Sequence, residues 1–224
     1  MNISQEWIIF DFDGVIAHRE TDRSKLVGQA LGLDPRLCRR FYDNGYLYSK
    51  RLNEISQSVY TIDQEVELYE KIFEALAKSQ DSSATQRQIQ QLSREFVEVK
   101  FALYPNAIES LAEISTRYKI AMITDAFMSR RDNELTYLGL IDLFEFILIS
   151  GEEKMDKSSL GIYHKAINLS GSTADKLRLV EDRTPPLKLS LEAGFSKGYL
   201  VGRGSSDDWH SVESIFELAR ELII

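Results

Sequence analysis

Apolar positions along the chain change period near residue 103, and the change separates regions of different build. Trp7 to Phe12 is a short apolar run closing on aspartates, the pattern of a buried strand whose carboxyl end carries acidic side chains. From about Ala17 to Leu103 no second strand of similar quality is seen. Instead Val66, Leu68, Tyr69, Ile72, Phe73 and Leu76 recur at helical spacing. A further helix is predicted over Thr85 to Phe101, through Ile89, Leu92, Phe96 and Val99, with polar Asp81 to Thr85 supplying a break and N-cap candidates. After Pro105 helices and strands alternate. Helices are predicted over Asn106–Arg117, Met128–Leu138, Gly161–Leu169, Leu187–Ala193 and Ser211–Leu222; strands over Lys119–Ile123, Phe144–Ile149, Leu177–Val180 and Gly198–Val201. Strands separated by helices need crossover connections, so the expected class is α/β: a doubly wound parallel sheet over 1–16 and 104–224 with an all-helical insertion over 17–103.

Composition narrows the functional classes. The 224 residues carry 27 Lys plus Arg against 35 Asp plus Glu, a formal net charge of −8, which offers no global field for nucleic acid or an anionic membrane. Neither partner is expected, and an anionic substrate needs a local positive site. Cys38 stands alone and cannot form an intramolecular disulfide; MNISQEWIIFDFDG lacks the features of a signal peptide, and no apolar run has the length of a membrane span. The expected compartment is the cytoplasm.

Ligands of a doubly wound sheet bind outside the carboxyl ends of its strands, so the residues following each strand form one candidate set. These are Asp11 and Asp13, Thr124 and Asp125, Ser150 followed by Lys154 and Lys157, and Glu181 with Asp182. Asp11 and Asp13 project to one side of an extended tip, and Gly14 lets the backbone turn or approach a ligand. One carboxylate can attack phosphorus while its neighbour protonates the leaving oxygen and then activates water, dividing phosphoryl transfer through an aspartyl-phosphate. Anion meeting anion requires a cation. Asp11, Asp182 and a backbone carbonyl are oxygen ligands suited to Mg²⁺, with Lys157 and the Thr124 hydroxyl cradling phosphoryl oxygens.

FDFDGV at 10–15, ITD at 123–125, KSSLGIY at 157–163 and VED at 180–182 resemble, in order, the motifs of the haloacid dehalogenase superfamily. The resemblance spans nearly the whole chain, and the insertion is similar to the helical cap of the phosphatase and phosphoglucomutase-like branch. It implies a Rossmann-like core and a mobile lid. By position it implies Asp11 as nucleophile, Asp13 as acid and base, Thr124 as phosphate-binding hydroxyl and Lys157 as the charge-stabilising lysine. For Mg²⁺ it implies Asp11, Asp182 and the backbone carbonyl of Asp13, with Glu181 supporting the metal through water. Asp125 falls among the substrate-binding positions, where the family often carries Asn, and the prolines common in the lysine motif are absent. The implied activity is Mg²⁺-dependent hydrolysis of a small phosphorylated metabolite. A phosphomutase of the β-phosphoglucomutase type and a catalytically weakened binding protein are the alternatives. Dehalogenases of the family generally lack the second aspartate, which is present here as Asp13.

Several other residues carry plainer readings. Lys154 competes with Lys157, whose spacing to Ile162 and Tyr163 fits the family pattern better. His18 reads as a polar loop residue, with a substrate contact at the cap hinge as the alternative, and Arg130, Arg131 and Arg183 as charged helix faces, with reach to an anionic group as the alternative. Cys38, beside Leu37 and Phe41, reads as apolar packing. Phe41, Tyr42, Tyr46 and Tyr48 read as core fillers, with a pocket lining as the alternative. Gly28, Gly32 and Gly45 form no dinucleotide fingerprint, so no nicotinamide cofactor is expected.

Overall fold

A computed structural model describes residues 5–41, 61–126, 134–202 and 208–223. The chain divides into two compact units, one of Met1–His18, Ala102–Ala126 and Arg130–Ile224, the other of Arg19–Phe101 and Phe127–Ser129.

The first unit is built on six strands: β1 (Trp7–Phe10), β4 (Lys119–Thr124), β5 (Ile147–Ile149), β6 (Leu177–Glu181), β7 (Lys197–Val201) and β8 (His210–Val212). All pair in parallel, in the order β5-β4-β1-β6-β7-β8. β1 lies at the centre, and the chain fills one side of it before crossing to the other. The carboxyl ends of β1, β4 and β6 therefore meet at the point where strand order reverses, the place at which such sheets bind ligands.

Alternation along the strands divides the apolar side chains between two faces. Trp7 and Ile9, Ala121 and Ile123, and Leu177 and Leu179 share a core with Ile162, Tyr163 and Ala166 of α6 (Leu160–Ser170) and Leu187 of α7 (Thr184–Glu192). Ile8, Phe10, Ile120 and Met122, of opposite parity, are equally buried. Helix α4 (Ala107–Ser115) packs on β4 and on α8 (Ile215–Ile223). With both faces covered, the strands read as continuous apolar runs.

The second unit is helical: α1 (Arg23–Leu31), helical residues 35–41, α2 (Ile62–Ser79) and α3 (Gln86–Val97). Thr61 with Gln64 and Thr85 with Gln88 form capping boxes that start α2 and α3, so Thr85 is the cap at the end of the polar break. Val27, Leu31, Cys38, Phe73, Leu76, Ile89, Leu92 and Phe96 form its core, with Phe73 and Phe96 edge to face at 5.1 Å. Cys38 is fully buried there and Phe41 packs against the same cluster, whereas Tyr42, Tyr46 and Tyr48 lie outside the described residues.

Several boundaries differ from expectation. The helix predicted to Phe101 ends at Val97, and β3 (Phe101–Leu103) follows, paired with β2 (Ala17–Arg19). The chain passes between its units along these two strands. β8 was not anticipated either; it takes residues assigned to the last helix, which starts at Ile215. Each missed strand has three residues, too few to establish an alternating period. The strand expected from Phe144 begins at Ile147, after a 3₁₀ turn at Ile141–Leu143. Of the helix expected over Met128–Leu138, residues 128–133, including Arg130 and Arg131, lie outside the described residues; of the remainder, residues 134–135 are π-helical and 136–139 form a turn.

Candidate active site

The site begins where β1 ends. The Asp11 amide still donates to Val180 O at 2.9 Å, so this residue keeps the sheet register while its carboxylate stands at the strand tip, 4% exposed. The chain then turns tightly. Phe12 O accepts from the amides of Ile16 and Ala17 at 3.0 Å each, and Gly14 adopts φ +89°. A Cβ at Gly14 would lie 2.7 Å from Asp182 Oδ2, so the absence of a side chain lets the β6 tip carboxylate close onto this turn. Asp13 is exposed on the turn and bridges Ala17.

β4 delivers Thr124, 5% exposed, and then Asp125. The Ser150 hydroxyl holds the following loop, accepting from the Ala126 amide at 3.0 Å and donating to Ala126 O at 3.2 Å. The two lysines separate clearly. Lys154 is exposed, in the left-handed conformation that ends α5 (Ser150–Glu153). Lys157 is buried, and its backbone is held from both sides: its amide donates to Asp125 Oδ1 at 3.0 Å, and the buried Tyr163 hydroxyl donates to its carbonyl at 2.8 Å.

Lys157 Nζ lies 2.7 Å from Asp11 Oδ1 and 2.7 Å from Glu181 Oε1. Burial disfavours its charge, but Asp11 and Glu181 outweigh that cost and hold the ammonium protonated well above the usual lysine range. The carboxylates respond in opposite directions. Burial and the Glu181 charge push the Asp11 carboxyl well up, against the pull of Lys157. Burial also acts on Glu181, but Lys157 and Arg183 bring it below the usual range, and its Oε2 accepts the Asp182 amide at 3.0 Å. Two buried carboxylates thus share one buried ammonium.

Asp11, Glu181 and Asp182 each offer an oxygen, and these atoms lie within 4.8 Å of one another. Octahedral Mg²⁺, with bonds of about 2.1 Å, spaces its oxygens about 3 to 4 Å apart, so these three carboxylates are placed to serve a hard divalent ion of that kind. Counting Asp125, four carboxylates surround two cations, Lys157 and Arg183, and the excess negative charge also suits a hard divalent ion. The side chain of Asp13 does not belong to this group, whereas Glu181 offers one of its three oxygens.

Arg183, expected on a helix face, points into the acidic cluster. It is the extended residue before α7; its Nη2 lies 3.3 Å from Glu181 Oε1 and 3.8 Å from Asp125 Oδ2, and its Nε lies 3.6 Å from Asp182 Oδ1. Its position directly after the VED motif was the signal available in the sequence. His18 instead lies against Tyr104, with ring centroids 5.0 Å apart and the planes tilted by 51°.

A parallel α/β sheet with a carboxylate at its central strand tip, a lysine on that carboxylate and acids on the neighbouring strand defines a class of hydrolases. The sequence profile described as haloacid dehalogenase-like hydrolase matches residues 48–197, and the chain belongs to that family. No curated protein matches. Among solved structures, a dehalogenase with an intermediate complex matches with TM-score 0.74 and 15% identity over 100% of both chains. The L-2-haloacid dehalogenase of Xanthobacter autotrophicus with chloropropionic acid covalently bound gives TM-score 0.68 and 12% identity over 96% of this chain and 97% of that one. The HAD-hydrolase YfnB of Bacillus subtilis, bound to magnesium, gives 0.66 and 16% over 99% and 100%. At these identities the likeness is one of fold. No helix among the described residues is long and apolar enough to cross a membrane.

Proposed function

We propose that the protein is a Mg²⁺-dependent phosphatase acting on a small phosphorylated metabolite through an aspartyl-phosphate. The observation that carries this reading is the pairing of two unlike carboxylates: Asp11, buried against Lys157, and Asp13, exposed two residues later on the same turn. Asp11 attacks phosphorus, and the bond to the leaving oxygen breaks as Asp13 gives that oxygen a proton. Asp13 then takes a proton from water, which attacks phosphorus and releases Asp11 and phosphate. Lys157 and the Thr124 hydroxyl hold the equatorial oxygens as charge develops. Asp11, Asp182, Glu181 and the carbonyl of Asp13 would hold Mg²⁺, which supplies charge neutralisation on the phosphoryl group when bound. The Asp125 carboxylate is engaged by the Lys157 amide. In this scheme it orders the lysine loop instead of repelling the substrate. The insertion is read as the cap.

Hydrolytic dehalogenation of a small 2-haloacid is the second reading, favoured by the dehalogenases that share the fold. There Asp11 would attack carbon and expel halide, and Asp13 would have no leaving oxygen to protonate. A panel of phosphorylated metabolites and 2-haloacids, assayed with and without Mg²⁺, separates the two. The proposal expects phosphate release that requires Mg²⁺; halide release with no phosphatase activity would replace it with the second reading.

A further inference from the structure

We propose that Arg183 is the resident counter-ion of the acidic cluster and sets how tightly the cluster takes a divalent cation. The inference rests on the reading that Asp11, Glu181 and Asp182 form a Mg²⁺ site. Of those three, Arg183 reaches two, Glu181 at 3.3 Å and Asp182 at 3.6 Å, and it also faces Asp125 at 3.8 Å. The two cations of the cluster differ in kind. The Lys157 side chain is 1% exposed, bonded to Asp11 and Glu181, with its backbone held by Asp125 and Tyr163, so it cannot leave. The Arg183 side chain is 43% exposed and sits at the edge, on a long stem that can turn to solvent.

A guanidinium keeps its charge at any pH the protein survives, so it yields a carboxylate only by moving. A divalent ion seated on Asp182 and Glu181 would come within a few ångströms of it and compete for the same oxygens. Like charges at that separation oppose one another strongly even where solvent screens them. Arg183 thereby balances the cluster while no ion is bound and weakens the binding of one.

The test is calorimetric titration of the whole chain with MgCl₂, without substrate, on the natural protein and on Arg183→Gln, Arg183→Ser, Arg183→Lys and Arg178→Gln. Arg178 pairs with Glu6 at the start of β6, so its variant carries the same change in net charge at the far end of the strand. Both neutral variants at 183 are expected to bind Mg²⁺ at least about tenfold more tightly, Arg183→Lys to stay near the natural protein, and Arg178→Gln to change by less than about twofold. Melting curves identify any variant that fails to fold, and the second neutral variant then decides. Equal or weaker binding in the folded neutral variants overturns the inference and leaves the phosphatase reading standing. Absence of Mg²⁺ binding by every protein overturns both.

Discussion

Lys157 Nζ stands 2.7 Å from Asp11 Oδ1 and equally 2.7 Å from Glu181 Oε1, joining the tip of the central strand to its neighbour β6. Electrostatically the ammonium serves two buried acids, with Arg183 adding a second positive charge at Glu181. Removing the lysine leaves both acids without that charge. Lys157→Met is expected to cost about 3–5 kcal/mol of stability, the usual penalty for breaking a buried pair from one side. Denaturant unfolding measures it; a loss below about 1 kcal/mol would mean the ammonium is not the partner that compensates these acids.

Asp11→Asn separates catalysis from stability. Burial and Glu181 together outweigh Lys157 at this carboxyl, so its charge is a burden on the metal-free fold. The amide variant should lose turnover while its melting temperature, measured at neutral pH without Mg²⁺, stays the same or rises. A marked fall in melting temperature would place Asp11 among the groups that stabilise the fold.

The same shift fixes a pH dependence. The attacking form is the carboxylate, and its folded pKa is raised, so the acid limb of kcat/KM should lie above the ordinary aspartate range. Mg²⁺ favours the ionised form, and by linkage more Mg²⁺ must carry the limb to lower pH. For stability the sign is reversed from the usual carboxylate case. The folded protein holds its proton longer than the unfolded chain, so the contribution is present at low pH and is lost as pH rises through the folded value. Activity profiles at two Mg²⁺ concentrations test the linkage, and a limb that moves upward or not at all contradicts it.

Much of this site was legible in the sequence because its members fall directly after strands, where a doubly wound sheet gathers ligands. Asp11, Thr124 and Glu181–Asp182 need no more than strand ends to be found. Lys157 is different: it follows α5, and its spacing to Tyr163 acquires physical meaning through the hydroxyl that holds the Lys157 carbonyl. Arg183 was misread because a charged residue opening a helix ordinarily faces solvent, and nothing local reveals that Asp125, distant in sequence, supplies one of its partners. The strands β2, β3 and β8 escaped because pairing, which periodicity cannot report over three residues, is what defines them.

Tyr163→Phe tests the positioning of the lysine. The change leaves the Lys157 carbonyl unpaired in a buried setting, at about 1–3 kcal/mol. If the hydroxyl positions Lys157 for the phosphoryl group, kcat falls by more than substrate affinity does. An unchanged kcat together with lowered stability would confine Tyr163 to the fold.

Gly14→Ala probes the closure of Asp182 onto the motif-one turn. Its Cβ would meet Asp182 Oδ2 at 2.7 Å at a backbone φ of +89°. Mg²⁺ affinity should weaken, read by calorimetry without substrate. Affinity equal to that of the natural protein would show that this approach of Asp182 does not matter to the ion.

The most direct test of the central claim is mass spectrometry of protein quenched in acid during turnover of an aryl phosphate with Mg²⁺. The account predicts a phosphoryl adduct on the peptide carrying Asp11, absent from Asp11→Asn. Turnover without that adduct, or an organic ester on Asp11 formed from a 2-haloacid in its place, would contradict it.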